Sequence, residues 1–171
     1  MLLAGLYAEG NTIVEQPSVS RDHTERMLRA AGVDVESRGG WTKISPGVLS
    51  SLEYGIPADF SSAIFLMAAA FLVPGSQLRL SNISLNPTRS YALKLLQRAG
   101  AKIALDDLRV TSGEECGDLV AMGSELQSFK IDGSEIPLVI DELPILAVLA
   151  TQATGDTVIK DAAELRVKET D

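Results

Sequence analysis

Cysteine is almost missing from this chain of 171 residues: Cys116 stands alone. No internal disulfide can form, and no thiolate-rich metal site can be assembled. With Glu115 before it and Gly117-Asp118 after it, the thiol has no electropositive setting, so an inert side chain is expected. Histidine is equally scarce, since His23 is the only one and has no second ligand nearby, which argues against a zinc site. Basic residues are outnumbered, 15 Lys and Arg against 23 Asp and Glu, and the net charge of −8 excludes broad nucleic-acid binding, which needs a basic face. An anionic substrate would have to be met by local cations. The longest apolar stretch, residues 63–73, is too short to span a bilayer, and no charged region precedes Met1-Leu2-Leu3-Ala4-Gly5. A cytoplasmic protein with no membrane partner is expected. Nor is there a Gly-x-Gly-x-x-Gly fingerprint, which weighs against an ordinary doubly wound parallel sheet. What the chain does have is 46% hydrophobic residues, enough for one sizeable core or two small ones.

Repeats organise those residues. Ala8-Glu9-Gly10-Asn11-Thr12-Ile13-Val14 resembles Val73-Pro74-Gly75-Ser76-Gln77-Leu78-Arg79 and Ala153-Thr154-Gly155-Asp156-Thr157-Val158-Ile159. Each reads as a helix closed by a glycine cap and followed by a strand. A hydroxyl-plus-arginine pair follows in the first two copies, Ser20-Arg21 and Thr88-Arg89, and each arginine lies eleven residues before a glycine, Gly32 or Gly100. The segments between, 24–30 and 91–98, are amphipathic at helical period. Strands are expected at 33–36 and 102–105, with return strands such as 41–44 and 108–111. The third copy reaches Val167-Lys168 in the register of the two arginine pairs, so a helix, strand, helix, strand, return-strand unit repeats. Expected boundaries are 1–48 for the later part of one unit, 49–115 for a complete unit and 116–171 for the first part of a third. Residues 63–72 and 145–150 are apolar nearly all round, which predicts helices buried on every face with sheets wrapped outside them.

Several polar clusters stand at the starts of these helices. In Ile140-Asp141-Glu142-Leu143-Pro144, Asp141 is expected as an N-cap, and a helix N-terminus also favours its carboxylate form as a proton acceptor. Ala58-Asp59-Phe60-Ser61-Ser62 reads as a cap, or as an anion seat of free N–H groups and hydroxyls. In Ser20-Arg21-Asp22-His23-Thr24-Glu25, Ser20 or Asp22 can cap the helix with Glu25 as reciprocal partner. A guanidinium there adds a bidentate donor at an anion-attracting spot, and Arg89 fills the equivalent slot. Lys168 in that register would bring a third cation to the same topological position.

Taken in order, Ser20-Arg21-Asp22-His23-Thr24-Glu25, Ala58-Asp59-Phe60-Ser61-Ser62-Ala63, Leu85-Asn86-Pro87-Thr88-Arg89, Ile140-Asp141-Glu142-Leu143-Pro144 and Leu165-Arg166-Val167-Lys168-Glu169-Thr170-Asp171 resemble the 3-phosphoshikimate 1-carboxyvinyltransferase, or EPSP synthase, family. The resemblance covers essentially the whole chain. It implies an α/β (α+β) fold of β-α-β-α-β-β units, an inside-out α/β barrel of the enolpyruvyl transferase kind, here incomplete, with this chain as a central portion. It also implies a transferase that moves the carboxyvinyl group of phosphoenolpyruvate to the 5-hydroxyl of shikimate 3-phosphate in chorismate and aromatic amino acid biosynthesis, with no metal and no organic cofactor. By match, Asp141 would accept the hydroxyl proton, Glu169 would handle the proton at the methylene carbon, and Lys168, Arg21 and Ser20 would bind shikimate 3-phosphate. Ala58 departs from the glycine usual before Asp-x-Ser-Ser. The family's N-terminal Lys-Ser and Arg, its Asn-Gly-Gly segment, its Ser-x-Gln and its phosphoenolpyruvate arginines do not occur in these residues, so the chain alone is expected to be inactive. The alternatives are a carboxyvinyltransferase acting on UDP-N-acetylglucosamine, which typically uses a loop cysteine, and a non-catalytic module. Uncovered apolar helix faces would then drive self-association or complementation by a partner chain.

Overall fold

The computed structural model describes residues 1–17 and 20–168. The chain forms two compact units, one built from Met1–Ile56 with Val110–Glu115, the other from Pro57–Arg109 with the chain from Cys116 onward.

In the first unit α1 (Leu2–Gly5) leads to β1 (Thr12–Glu15), α2 (His23–Ala30), β2 (Val35–Arg38) and β3 (Trp41–Ile44). The strands pair antiparallel in the order β1-β3-β2, with Ile44 opposite both Thr12 and Val35. β3 is the return strand expected at 41–44. β2 begins two residues later than expected because Gly32 and Val33 close α2, donating to the carbonyls of Arg29 and Leu28 at 3.0 Å each. Leu28 on α2 packs with Leu2, Leu6, Val33, Val35 and Ile44 to form this unit's core.

The reciprocal cap expected at the start of α2 does not form. Asp22 is the N-cap residue, but its carboxylate takes the Arg26 guanidinium one turn along at 2.9 Å. Glu25 turns inward instead and accepts a 3.4 Å bond from Thr42 Oγ1 on β3. His23 Nδ1 lies 2.8 Å from the buried Glu114 carboxylate of the same unit.

The second unit contains α3 (Phe60–Leu72), β4 (Gln77–Ser84), α4 (Ala92–Arg98), β5 (Lys102–Thr111), β6 (Glu114–Met122), β7 (Lys130–Ile131), α5 (Ile136–Val139), α6 (Leu143–Ala150), β8 (Val158–Ile159) and α7 (Leu165–Lys168), the turn of the β5–β6 hairpin being counted with the first unit. Its main sheet has the order β4-β6-β5, with β4 antiparallel to β6, while β7 pairs parallel with β8. Residues 108–111, expected as a return strand, continue β5 instead. Asp107 takes φ 48 without reversing the chain, and the reversal falls at Ser112-Gly113, both in the left-handed region, from which β6 returns.

The repeat reappears as geometry. Gly100, like Gly32, has φ 85, and the residue after it, Ala101, donates to Leu96 at 2.9 Å just as Val33 donates to Leu28. Equal spacing from Arg21 and Arg89 therefore ends in the same helix cap. Gly75 is not such a cap. It is the third residue of a turn in which Ser76 donates to Val73 at 3.2 Å, three residues beyond the end of α3.

Apolar content places the second core. Phe60, Ile64, Met67 and Phe71 of α3 and Leu143, Leu146 and Leu149 of α6 are buried with Leu95, Leu96 and Leu119. Each such side chain contributes about 1.5–3 kcal/mol over its exposed state. Contrary to the expectation of burial all round, Phe65 and Leu66 of α3 are 50% and 54% exposed, and Val148 of α6 is 49% exposed. One face of each helix is sealed and the other is open. The described sheets are open three-stranded and two-stranded sets, so no barrel closes within them. Among the described residues no helix is long and apolar enough to cross a membrane.

Candidate active site

Asp59 is positioned by a bulge. On β6 the Asp118 carboxylate accepts the Asn82 N–H at 2.9 Å, Arg79 Nε at 3.0 Å and Ser81 Oγ at 3.2 Å, which holds Asn82 at φ 56 and shifts the register of β4. The Asn82 N–H, with help from Arg79 and Ser81, keeps the Asp118 carboxyl below the usual carboxylate range against its desolvation. Across the bulge Asn82 C=O accepts the Ala58 N–H at 2.7 Å, and Ala58 C=O accepts the Ser84 N–H at 2.9 Å. Asp59 is thereby delivered to the N-cap of α3, where its carboxylate accepts Ser62 N–H and Ser62 Oγ, each at 2.9 Å. The capping expectation for Asp59 holds.

Arg89 reaches the same place from a locked turn. Fully buried Asn86 accepts the Thr88 N–H at 2.9 Å and Thr88 Oγ1 at 2.7 Å on its side chain, while its carbonyl accepts the N–H groups of Arg89 and Ser90 at 2.8 and 2.9 Å. The guanidinium, only 13% exposed, donates from Nη2 to Asp59 Oδ1 at 3.0 Å and from Nη1 to Asp141 Oδ2 at 2.9 Å, with Glu142 Oε1 3.5 Å from Nη1. Glu142, 1% exposed, also accepts from Ser61 Oγ. Burial pulls the Arg89 pKa down, but the bonds to Asp141 and Asp59 with nearby Glu142 outweigh it and raise it overall.

Asp141 is not the helix cap expected. It lies in the turn between α5 and α6, the cap position belongs to Glu142, and no side-chain cap bond forms there. Pro144 in the first turn has no N–H to offer a cap, and Arg89 supplies a charge-assisted partner that is stronger.

The other residues singled out from sequence fall elsewhere. Ser20 and Arg21 are exposed residues of the first unit, with Ser20 Oγ donating to Gln16 Oε1 at 2.6 Å. Lys168 closes α7 in the second unit. Glu169 lies outside the described residues. Thus Asp141 is gathered with Asp59, Ser61, Arg89 and Glu142, all within the motifs that carry the resemblance. Arg89, read as the counterpart of an anion-binding Arg21, is occupied by carboxylates. Glu142 was not singled out, although its adjacency to Asp141 ahead of an apolar helix was the available signal.

Asp59 also sets a pH dependence. Burial pushes its carboxyl up, but Ser62 and Arg89 more than compensate and hold it below the usual range. A depressed carboxyl contributes stability that is fully present above its unfolded value of about 3.9 and is lost as pH falls through the lower folded value. Asp118 and Asp132 are depressed as well and act with the same sign. The urea midpoint of the second unit is therefore expected to drop below about pH 4, and in Asp59→Asn to drop less steeply there. Parallel acid limbs in the two proteins would count against the Asp59 contribution.

The family model for EPSP synthase (3-phosphoshikimate 1-carboxyvinyltransferase) matches residues 1–171. The chain belongs to the EPSP synthase family. Among EPSP synthases it is 51% identical over 171 residues to the 3-phosphoshikimate 1-carboxyvinyltransferase of Shouchella clausii (strain KSM-K16), covering 99% of this chain and 40% of that protein. It is 52% identical over 171 residues to the one from Bacillus cytotoxicus, with the same coverage. The solved EPSP synthase of Acinetobacter baumannii superposes with a TM-score of 0.92 at 42% identity, over 99% of this chain and 39% of that one. The enolpyruvyl transferase NikO of Streptomyces tendae, 22% identical with a TM-score of 0.65 over 93% of this chain and 38% of that one, shares the fold. The chain spans about 40% of the length of the curated relatives it matches.

Proposed function

We propose that this chain carries the Asp141 side of an EPSP synthase site, which adds the 5-hydroxyl of shikimate 3-phosphate to phosphoenolpyruvate and then eliminates phosphate. In addition, Asp141 takes the hydroxyl proton while the oxygen bonds to C2 of the enol and the methylene carbon is protonated. In elimination that carbon returns a proton and the C2–O bond to phosphate breaks. Glu169 handles the methylene proton, and Lys168, Arg21 and Ser20 hold shikimate 3-phosphate. The chemistry needs no cofactor, and a cytoplasmic setting suits it. The repeat boundaries at 48 and 115 belong to the same reading.

One observation carries it: the Asp141 carboxylate is held by Arg89 at 2.9 Å inside a cluster made wholly of the resemblance motifs. An acceptor fixed and ionised at neutral pH is what the first proton transfer requires. The same cluster puts three carboxylates, Asp59, Asp141 and Glu142, around one guanidinium, a poor seat for a phosphorylated substrate until further cations join it.

Two outcomes test this. The 171-residue chain alone is expected to release no phosphate from the two substrates. Exchanged for the matching residues of the Shouchella clausii relative, it is expected to give a chimera that does. A folded chimera with no turnover would refute the proposal. We also propose that the exposed apolar residues Phe65 and Leu66 of α3 and Val148 of α6 make the isolated chain self-associate or accept a complementing segment. Sedimentation velocity of the chain and of Phe65→Ser should then differ, the variant staying monomeric to higher concentration; identical profiles would count against it.

A further inference from the structure

We propose that Arg89 is a positioning residue: seated on Asp59, its guanidinium keeps the adjacent Asp141 and Glu142 carboxylates both ionised and fixes Asp141 Oδ2 for proton acceptance. Arg89 is held at both ends. Its backbone is locked by the Asn86 turn, and its Nη2 rests on Asp59, itself tied to the α3 terminus by two bonds from Ser62. With the side chain anchored at both ends, Nη1 reaches Asp141 Oδ2 at 2.9 Å and lies 3.5 Å from Glu142 Oε1.

Its effect follows from charge. Asp141 and Glu142 are consecutive, 22% and 1% exposed on their side chains, and both lie within 4 Å of Nη1. Two carboxylates so placed resist joint ionisation, and the pair would retain a proton to higher pH if nothing offset them. Asp59, from the loop before α3, adds a third negative charge. Ser61 donates to Glu142 but brings no charge. Arg89 Nη1 is a cation that reaches both members of the pair. A retained proton would sit on the very group that must accept one from substrate.

The catalytic consequence rests on Asp141 acting as proposed above; the coupling of Arg89 to the pair does not, so it is measured without turnover. Carboxyl 13C signals of Asp141 and Glu142, assigned through Asp141→Asn and Glu142→Gln, are followed by NMR as the 171-residue chain is titrated. In Arg89→Gln the higher midpoint of the pair is expected to rise by about one pH unit or more, and in Arg89→Lys by less. Asp59→Asn, which removes the anchor and keeps the guanidinium, is expected to broaden the Asp141 resonance. If Arg89→Gln does not fold, the wild-type chain decides alone: the Arg89 Nη signals are expected to shift with the same midpoints as the two carboxyls. An unmoved midpoint in folded Arg89→Gln, or Arg89 signals indifferent to the carboxyl titration, would overturn the proposal.

Discussion

Asp141→Asn, placed in the chimera with the Shouchella clausii relative, is expected to lower kcat by about 10²- to 10⁴-fold, equivalent to about 3–5 kcal/mol of transition-state stabilisation. The substitution is nearly isosteric, and the amide oxygen can still accept from Arg89 Nη1, now 2.9 Å from Asp141 Oδ2. What it removes is the proton-accepting ability proposed for Asp141. In the proposed addition step the proton moves only as the new C–O bond forms, so the loss should fall on kcat with KM for shikimate 3-phosphate changed far less. A structural role would show the reverse, a loss of folded protein or of binding with turnover per bound substrate retained. Turnover within threefold of the parent chimera would remove Asp141 from the acceptor role.

How much of this was readable beforehand depends on what each residue's neighbours are in sequence. The arginine-to-glycine spacing of 21–32 and 89–100 predicted matched units, and the two helix caps agree to within 0.1 Å in their closing bonds. Local chemistry sufficed there. The Asp59 cap was legible for the same reason, since Ser62 is three residues away. Asp141 is not the cap its position suggests because Arg89, 52 residues back, takes its carboxylate, and nothing near Asp141 in sequence announces that contact. Glu25 departs likewise, since Thr42 on a neighbouring strand offers a buried partner that a one-helix pattern cannot contain. The β5 error has another origin: Asp106-Asp107 has turn chemistry, yet Ser112-Gly113 supplies two left-handed residues where a two-residue hairpin needs them. Asp118, the residue that sets the bulge and so the place of Asp59, carried no sequence signal beyond sitting near Cys116.

Leu146→Ala and Val148→Ala should differ by several kcal/mol in the isolated chain although the sequence gives them the same apolar helix. Leu146 is fully buried within the second core, and its truncation is expected to cost about 2–5 kcal/mol, through lost burial and the cavity left behind. Against a total stability of about 5–15 kcal/mol for a domain, that is enough to unfold a marginal unit. Val148 is 49% exposed, two residues on and round the helix from Leu146, so its truncation should stay within about 0.5 kcal/mol. Urea unfolding of the two variants measures both. The chimera adds a sharper comparison. If the rest of the EPSP synthase fold covers the open face, Val148→Ala should become costly there, by about 1 kcal/mol or more, while the Leu146→Ala cost stays as it was. The same small cost for Val148→Ala in both settings would mean that the face of α6 stays open and that its apolar residues have another use.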